Sequence, residues 1–249
     1  DLVRSRGLGD VYKRQVIQSL GRTAVIDVGS DDELINSCLA ELRVSKIDLL
    51  VLTHFDFDHV GGIAGALESR SVSSAIISGF PDQRPATKQS LDLLASKQIN
   101  VITADPTVSG KLGEFSWRVL APTREASEAE DSNDASVVMA FTGPEFDLLI
   151  MGDLGESGQE RVSSSAIKIL SASPRPLILK VSHHGSNDQS TQLHESLRPE
   201  LAVISVGAGN GYGHPGKNAL DILARSGSQV LRTCLLYTSP SPRDRTRSR

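Results

Sequence analysis

The stretch Thr53-His54-Phe55-Asp56-Phe57-Asp58-His59-Val60-Gly61-Gly62 directly follows a short apolar run, Ile47–Leu52, that is typical of a buried strand. Two imidazoles and two carboxylates lie within six residues, so they cannot all share one face of a helix or of a strand. Histidine and aspartate are ligands that suit Zn²⁺ or Mn²⁺. We therefore expect a loop folded around a cation at the end of a strand, in preference to a solvated polar turn.

Three further polar clusters follow apolar runs later in the chain. They are Gly152-Asp153 after Phe146–Met151, His183-His184-Gly185-Ser186 after Leu177–Val181, and Tyr212-Gly213-His214-Pro215 after Leu201–Val206. Each cluster alone is explained as well by a turn or a surface loop. Open α/β architectures bind ligands at the carboxyl ends of their strands, so the clusters together predict one site. His194 lies in an ordinary polar helix pattern and is expected to be a solvated surface group.

Hydrophobic periodicity predicts strands that alternate with helices and also pair as hairpins. Ser30 and Glu33 form a capping-box pattern, which predicts a helix from Ser30 to about Arg43. Thr123–Asp134 is expected to be a polar loop. The other predicted helices are Ile63–Glu68, Lys88–Lys97, Gly158–Leu170, Gln192–Leu197 and Asn218–Ala224. The predicted strands are Val16–Ser19, Thr23–Val28, Ile47–Leu52, Ala75–Ser78, Val101–Thr103, Phe115–Leu120, Ser136–Phe141, Phe146–Met151, Leu177–Val181 and Leu201–Val206. This order favours one α/β domain of mixed sheets faced by helices.

Composition limits the classes of function. The chain has 249 residues, of which 39% are hydrophobic and 22% charged, and this excludes a disordered or collagen-like chain. It contains no apolar run near the ~20 residues that cross a bilayer. Its two cysteines, Cys38 and Cys234, exclude a disulfide-stapled scaffold and a cysteine-based metal cluster. Cys38 is expected in the core.

The two ends differ in character from the rest of the chain. Their segments SRGLGDVYKRQ and CLLYTSPSPRD can be encoded by nearly complementary strands that resemble a sequencing adapter. We therefore expect residues 1–15 and 234–249 to be non-native and disordered, and residues 16–233 to be one domain truncated at both ends. The whole chain has a formal net charge of −4, but 16–233 alone has 18 basic and 27 acidic residues, hence −9. A broad basic surface for nucleic acid is thereby disfavoured, although a local site is not.

In combination, these motifs resemble the metallo-β-lactamase fold, and more closely the C-terminal soluble domain of ComEC-type DNA-internalisation (competence) proteins. The resemblance covers essentially all of 16–233. It rests on Ile26-Asp27-Val28-Gly29, His54-x-Asp56-x-Asp58-His59 with its Gly pair, Asn133-Asp134-Ala135-Ser136, Gly152-Asp153-Leu154, Lys180, His183-His184-Gly185-Ser186 and Tyr212-Gly213-His214-Pro215. It implies an αββα sandwich of two mixed sheets flanked by helices, with a metal site on one edge.

The resemblance implies one or two divalent metal ions, Zn or Mn, and a set of ligands. Asp58 and His59 are expected to bind one ion, and His54 and Asp56 to favour the other. Asp153 is expected to bridge the two, and His183 or His184 to complete the shell. The broader fold carries a histidine where this chain has Asp56, and many relatives have a further histidine between the positions of His59 and Asp153.

The same resemblance implies the catalytic roles. A bound metal lowers the pKa of water towards ~7, and Asp58 is expected to act at that centre. Lys180 and His214 are candidates for stabilising phosphoryl charge or protonating the leaving oxygen. Asp27 is expected to support the site from outside the metal shell, and Asn133 and Ser136 to organise a nearby loop.

The leading hypothesis is metal-dependent hydrolysis of a phosphodiester, with single-stranded DNA as the substrate, by a nuclease domain of a competence protein. One alternative is another hydrolase of this fold that acts on a thioester or a small phosphoester. A second is a catalytically silent scaffold domain of a DNA-uptake channel. We expect the fragment to be soluble and its parent protein to be embedded in a bacterial cell membrane.

Overall fold

The computed structural model describes residues 2–4, 14–122, 129, 131–207 and 210–233. The helices within these ranges are α1 (Asp32–Glu41), α2 (Phe57–Val60), α3 (Ile63–Leu67), α4 (Pro85–Ser96), α5 (Glu156–Leu170), α6 (Thr191–Leu197) and α7 (Lys217–Arg225). The strands are β1 (Leu2–Arg4), β2 (Gln15–Ser19), β3 (Arg22–Ile26), β4 (Lys46–Ile47), β5 (Leu49–Leu52), β6 (Ser71–Val72), β7 (Ser74–Ile77), β8 (Asn100–Thr103), β9 (Ser109–Leu112), β10 (Phe115–Ala121), β11 (Val138–Thr142), β12 (Asp147–Ile150), β13 (Leu177–Lys180), β14 (Leu201–Ile204) and β15 (Gln229–Arg232). Ser182–Gly185 form a 3₁₀ turn.

The strands form two large mixed sheets. The first has the order β1-β2-β3-β5-β7-β8 and the second the order β15-β14-β13-β12-β11-β10-β9, while β4 and β6 pair separately. In the first sheet β2 and β3 are antiparallel, and β3, β5, β7 and β8 are parallel. In the second sheet β9 to β12 are antiparallel, and β12 to β15 are parallel. Both the hairpins and the parallel crossovers predicted from the sequence are therefore present.

Alternate residues of each strand enter different cores, as the two-residue period of a strand requires. Leu49 and Val51 of β5 pack between the two sheets, together with Ile150 of β12. Leu50, on the opposite face of β5, packs in an outer core with α1, α3 and α4. Leu149 of β12 packs in the other outer core with α5, α6 and α7. Each such burial contributes about 1.5–3 kcal/mol. The layers are thus helices, sheet, sheet and helices, which confirms the predicted αββα sandwich.

The carboxyl ends of the parallel strands lie at one edge of this sandwich. In the first sheet, β3 leads into Asp27 and β5 leads into Thr53. In the second sheet, β12 leads into Gly152-Asp153 and β13 leads into the 3₁₀ turn. The backbone N–H of Val137 donates to the carbonyl of Thr53 at 2.8 Å, which joins the two sheets at this edge. The polar clusters of the sequence therefore converge here.

Gly152 is required by the way the sheets meet. Its φ is +54°, and a Cβ there would lie 2.8 Å from the Ser136 Cβ and 3.0 Å from the Thr53 Cβ. A left-handed conformation combined with this crowding excludes a side chain. The glycine lets the backbone turn so that Asp153 enters the interface between the sheets.

The structure corrects several local predictions. Asp31, not Ser30, caps α1, because the Asp31 side chain accepts the N–H of Leu34. The second half of the histidine motif is a short helix, α2, rather than a continuous loop, since only part of the motif has to face the site. His194 is 1% exposed rather than solvated, because α6 packs against α5 with this side facing inward. Four strands were not anticipated, namely β1, β6, β9 and β15.

At the amino-terminal end, the structure describes Leu2–Arg4, which pair with β2, and Gln15, the first residue of β2. The disorder expected of residues 1–15 as a whole stays a prediction. The non-native origin of both ends stays a prediction, and residues 234–249 lie outside the described residues, as does much of the loop expected at Thr123–Asp134. Among the helices that the structure describes, none has the length and apolar character that crossing a membrane requires.

Candidate metal centre

Three buried side chains from both sheets meet at the edge of the sandwich. His54 follows β5, His59 lies on α2, and Asp153 follows β12. One potential ligand atom from each lies within 4.8 Å of the others, and all three residues are buried. Two of these residues come from the motif that opens the sequence analysis, and the third comes from a cluster more than ninety residues away along the chain. This convergence was expected from the positions of the clusters at strand ends.

His59 is held between two carboxylates. Its Nδ1 lies 2.8 Å from Asp27 Oδ2, and its Nε2 lies 3.2 Å from Asp153 Oδ2. Burial lowers the pKa of His59, but the charges of Asp153 and Asp27 outweigh burial and raise that pKa to about 9. Asp27 also accepts the backbone N–H and the hydroxyl of Thr53, which fixes its carboxylate. Asp27 thus orients His59 from the side opposite Asp153, as the sequence suggested.

His184 approaches Asp153 from the second sheet. Its Nδ1 lies 2.8 Å from the carbonyl of Ser205 and must donate, because a carbonyl oxygen only accepts. Its Nε2 therefore faces Asp153 Oδ2, at 3.1 Å. Burial raises the pKa of Asp153, yet His59 and His184 together hold it well below its usual range. Asp153 is accordingly the shared anion between the two imidazoles.

His54 has a ring nitrogen that is placed to bind a metal ion. Its Nδ1 lies 3.1 Å from the Thr53 hydroxyl and 3.4 Å from the Ser136 hydroxyl, whereas its buried Nε2 has no hydrogen-bond partner among the described residues. Burial, assisted by the charge of His59, lowers the pKa of His54 to about 4. The ring is therefore neutral at pH 7, and a neutral imidazole nitrogen is a ligand for transition metals.

These residues fit a divalent cation. In metal-binding histidines, the N–H of the second ring nitrogen usually donates a hydrogen bond to a carboxylate or a carbonyl. His59 and His184 are held in this way by the Asp27 carboxylate and the Ser205 carbonyl. Within the part of the chain that the structure describes, the buried Nε2 of His54 has no hydrogen bond, and a buried polar atom without a partner is costly unless a ligand binds it. Nitrogen and carboxylate donors of this kind suit Zn²⁺, Mn²⁺ or iron.

Asp56 is already engaged by other side chains. Its Oδ1 accepts a hydrogen bond from the Ser132 hydroxyl at 2.6 Å and lies 2.8 Å from a guanidinium nitrogen of Arg84. Partial burial raises the pKa of Asp56, but Ser132, His54 and Arg84 lower it overall. The distance from His54 Nε2 to Asp56 Oδ1 is 3.9 Å, so this carboxylate lies at the rim of the centre. Arg84 was not identified from the sequence.

The remaining predicted residues line two crevices beside the centre. Asp58 and His214 line one of about 280 Å³ together with His184. His183 lines the other, of about 440 Å³, where Asp134 and Asp153 also contribute. The His183 and His214 ring centroids lie 5.7 Å apart, so the two crevices are neighbours. His184, not His183, is the member of the pair that contacts Asp153 in the structure.

Lys180 lies at the end of β13, below the 3₁₀ turn. It is 4% exposed, and its Nζ donates to the carbonyl of Val181 at 2.9 Å. Ser136, expected near the site, accepts the backbone N–H of Asp153 at 3.1 Å. Both contacts support the loops that carry the centre.

Comparison with known families agrees with this architecture. The protein-family model described as "Metallo-beta-lactamase superfamily" matches residues 16–207 of the chain. The chain belongs to this superfamily. Ser205 and the 3₁₀ turn lie inside the matched segment, and His214 lies beyond it.

Three curated relatives are named as a ComE operon protein, a competence protein and a recombination protein. The chain is 28% identical over 192 residues to "ComE operon protein 3" of Bacillus subtilis, covering 76% of this chain and 24% of that protein. It is 27% identical over 193 residues to "Competence protein ComA" of Neisseria gonorrhoeae, covering 77% of this chain and 25% of that protein. "Recombination protein 2" of Haemophilus influenzae is 24% identical over 229 residues, covering 86% and 25%. The chain thus spans about a quarter of the length of these relatives.

Solved structures support the fold at low identity. The metallo-β-lactamase fold protein YhfI from Bacillus subtilis is 13% identical, with a TM-score of 0.55, covering 88% of this chain and 87% of that one. Zn²⁺-bound PqqB from Methylobacterium extorquens is 11% identical, with a TM-score of 0.54, covering 88% and 84%. CmlA, a diiron β-hydroxylase from Streptomyces venezuelae, is 12% identical, with a TM-score of 0.58, covering 93% and 52%. The metallo-β-lactamase fold is therefore shared with proteins of different chemistry.

Proposed function

We propose that this domain hydrolyses phosphodiester bonds in single-stranded DNA with the help of one or two divalent metal ions, as part of a longer, membrane-embedded competence protein. The observation that carries the proposal is the buried cluster of His54, His59 and Asp153, whose ligand atoms lie within 4.8 Å of one another. The resemblance to DNA-internalisation proteins, together with relatives named as a competence and a recombination protein, supports DNA as the substrate.

The residues divide into those that hold the cation and those that face the substrate. His54, His59, Asp153 and His184 hold it, and Asp58 extends the set towards the 280 Å³ crevice. A bound divalent ion supplies a Lewis acid, which lowers the pKa of water and stabilises negative charge on a phosphoryl oxygen. Asp27 and the Ser205 carbonyl keep the imidazoles in the tautomer that binding requires.

His214 and Lys180 have different roles in the proposed reaction. His214 lines the same crevice as Asp58, so its imidazole can give a proton to the leaving oxygen there. Lys180 donates to the Val181 carbonyl at the root of the 3₁₀ turn, which supports a role in positioning His183 and His184. Asp56 remains a candidate ligand at the rim, in competition with Arg84.

A catalytically silent scaffold is the second candidate, and one contact favours it. The guanidinium of Arg84 lies 2.8 Å from Asp56 Oδ1, so Arg84 would compete with a cation for this carboxylate. If Arg84 holds Asp56 permanently, at most one ion binds, and a two-ion phosphodiester mechanism is not available.

Cleavage of a labelled single-stranded oligonucleotide with Mn²⁺ or Zn²⁺ separates these candidates. We expect cleavage by the 249-residue chain and its loss, by at least ~100-fold, in Asp153→Asn. Asp221→Asn is the matched control, because Asp221 pairs with Lys217 on the surface of α7. Stoichiometric metal without cleavage by either ion would support the scaffold, and full activity in Asp153→Asn would overturn the assignment of the centre.

A further inference from the structure

The 280 Å³ crevice beside the metal centre has a mostly apolar and aromatic lining. We call it the aromatic crevice and define it by Phe57, Asp58, His184, Val206, Tyr212 and His214. Its lining includes Asp58 and His184, which belong to the proposed centre, together with Tyr212. Its volume is close to the lower end of small-ligand pockets, ~300 Å³. The crevice therefore has room for a small, flat group next to the proposed reaction site.

Two of its side chains are aromatic and unusually exposed. Phe57 is 63% exposed and Tyr212 is 86% exposed, whereas the other large apolar side chains exposed among the described residues are aliphatic. Neither ring is needed in the cores of the sandwich, where Phe115 and Phe141 are fully buried. Exposed aromatic side chains grouped at a functional site indicate a binding surface.

The rings are presented by backbone that the fold already fixes. Phe57 is the first residue of α2, directly between Asp56 and Asp58 of the histidine motif. Tyr212 is stacked on His214, with ring planes 14° apart and centroids 6.3 Å apart. Asn210 braces this loop, since its Oδ1 accepts the N–H of His214 and its Nδ2 donates to the His214 carbonyl.

We propose that the aromatic crevice binds one unpaired nucleobase of the substrate strand by stacking, while the adjoining phosphate lies at the metal centre. The proposal rests on the function proposed above and names the group that the site recognises. A base and its phosphate are joined through a single sugar, so a phosphate at Asp153 leaves its base within reach of the crevice that His184 borders.

Charge and shape favour a nucleobase over other parts of the substrate. Residues 16–233 have a net charge of −9, so a basic surface does not supply the affinity for the phosphate backbone. Stacking on aromatic rings is independent of that charge and tolerates every base, since each base has a π-face. A base inside a duplex is covered by its neighbours on both faces, so a single strand or an extruded base is required.

Binding of defined oligonucleotides tests this inference independently of cleavage. The experiment measures the fluorescence anisotropy of a labelled ten-residue oligothymidylate and of an abasic oligonucleotide of equal length, at ~0.15 M salt to screen non-specific charge. We expect the chain to bind the base-bearing strand more tightly than the abasic one. Tyr212→Ala and Phe57→Ala should each weaken binding of the base-bearing strand by roughly 5- to 100-fold, which is the effect of losing one base–aromatic stack.

Two further variants keep the result interpretable. Tyr212→Phe retains the ring and should retain the preference for base-bearing strands. Leu91→Ala removes an exposed apolar side chain from α4, outside the crevice, and should leave the affinity for both strands unchanged. Equal affinity for base-bearing and abasic strands, or no effect of Tyr212→Ala and Phe57→Ala, would overturn the base site. Base-dependent binding without cleavage would support the base site and contradict the proposed nuclease activity. Cleavage of strands that bind equally well with and without bases would support the nuclease activity and contradict the base site.

Discussion

The Nδ1 atom of His59 lies 2.8 Å from Asp27 Oδ2, so the ring has only Nε2 left to face Asp153 on the other sheet. Asp27 adopts a φ of +55°, a left-handed conformation that is costly for a residue with a side chain. Its carboxylate accepts the backbone N–H and the hydroxyl of Thr53 and also contacts Nδ1 of His59, and these contacts offset the cost. A strained residue thus supports the centre without belonging to the metal shell.

Asp27→Asn should weaken binding of Mn²⁺ or Zn²⁺ by about 10- to 100-fold, because it removes the anion that orients His59. Isothermal titration calorimetry on the metal-free chain measures the change. Asp48→Asn is the matched control, since Asp48 also accepts a backbone N–H, that of Thr23, but lies before β5, at the opposite end of that strand. Equal losses in both variants would mean that Asp27 acts only on the fold.

Gly152→Ala should lower the free energy of unfolding by about 2–5 kcal/mol, the combined effect of a left-handed φ and of overpacking. The new Cβ would lie 2.8 Å from the Ser136 Cβ. Urea unfolding followed by circular dichroism measures the loss. Gly227→Ala isolates the conformational part, because Gly227 has a φ of +80° and no atom of the described residues lies within 4 Å of the added Cβ. Similar losses in the two variants would show that crowding at Gly152 contributes nothing.

Much of the fold follows from the sequence because its signals are local. The run Ile47–Leu52 is apolar at every position except Asp48, which is typical of a strand covered on both faces. The structure confirms a strand here, divided at Asp48 into the end of β4 and all of β5. β15 was missed because Gln229–Arg232 is a half-exposed edge strand without a continuous apolar run. β9 was missed for the same reason, since Ser109–Leu112 has one buried apolar residue.

The site was predictable in its members but not in its contacts. The contiguous histidine motif at a strand end predicts His54 and His59. Gly152-Asp153 alone is explained as well by a turn, and Asp153 was expected at the site only from the clusters in combination and from the family resemblance. Arg84 could not be found this way, since it precedes α4 and reaches Asp56 only through the packing of α2 against α4. The choice of His184 over His183 at Asp153 depends on the Ser205 carbonyl, which no local pattern indicates.

Arg84→Met should strengthen binding of a divalent ion at the Asp56 side of the centre, by about 2- to 5-fold, because a half-exposed ion pair has a strength of that order. The guanidinium of Arg84 now competes for Asp56, and Met keeps the length of the side chain without its charge. Metal titrations that report stoichiometry measure the effect. Arg22→Met, which breaks a surface pair with Asp48, is the control. Weaker binding in Arg84→Met would instead assign Arg84 the role of positioning Asp56 for the metal.

His194→Asn should change how the stability of the protein depends on pH. The Nδ1–H of His194 donates to the Ser190 carbonyl at 2.8 Å, and the side chain is buried, so burial lowers its pKa below the ordinary value of 6.5 although that carbonyl opposes the shift. The unfolded chain therefore takes up a proton near pH 6.5 that the folded chain resists. Stability is fully present above pH 6.5 and is lost as the pH falls below it, with a slope of at most ~1.4 kcal/mol per pH unit from this group.

Asparagine at this position can place an amide N–H where His194 has its Nδ1–H, and it does not titrate. We therefore expect the free energy of unfolding of the unmodified chain, minus that of His194→Asn, to decrease between pH 7.5 and pH 5 in urea titrations. His214→Asn is the matched control, because that imidazole lines the aromatic crevice and is only half-buried. A difference that stays constant across this pH range would mean that His194 has the same pKa in both states, and that its burial in α6 is relieved by water reaching the ring.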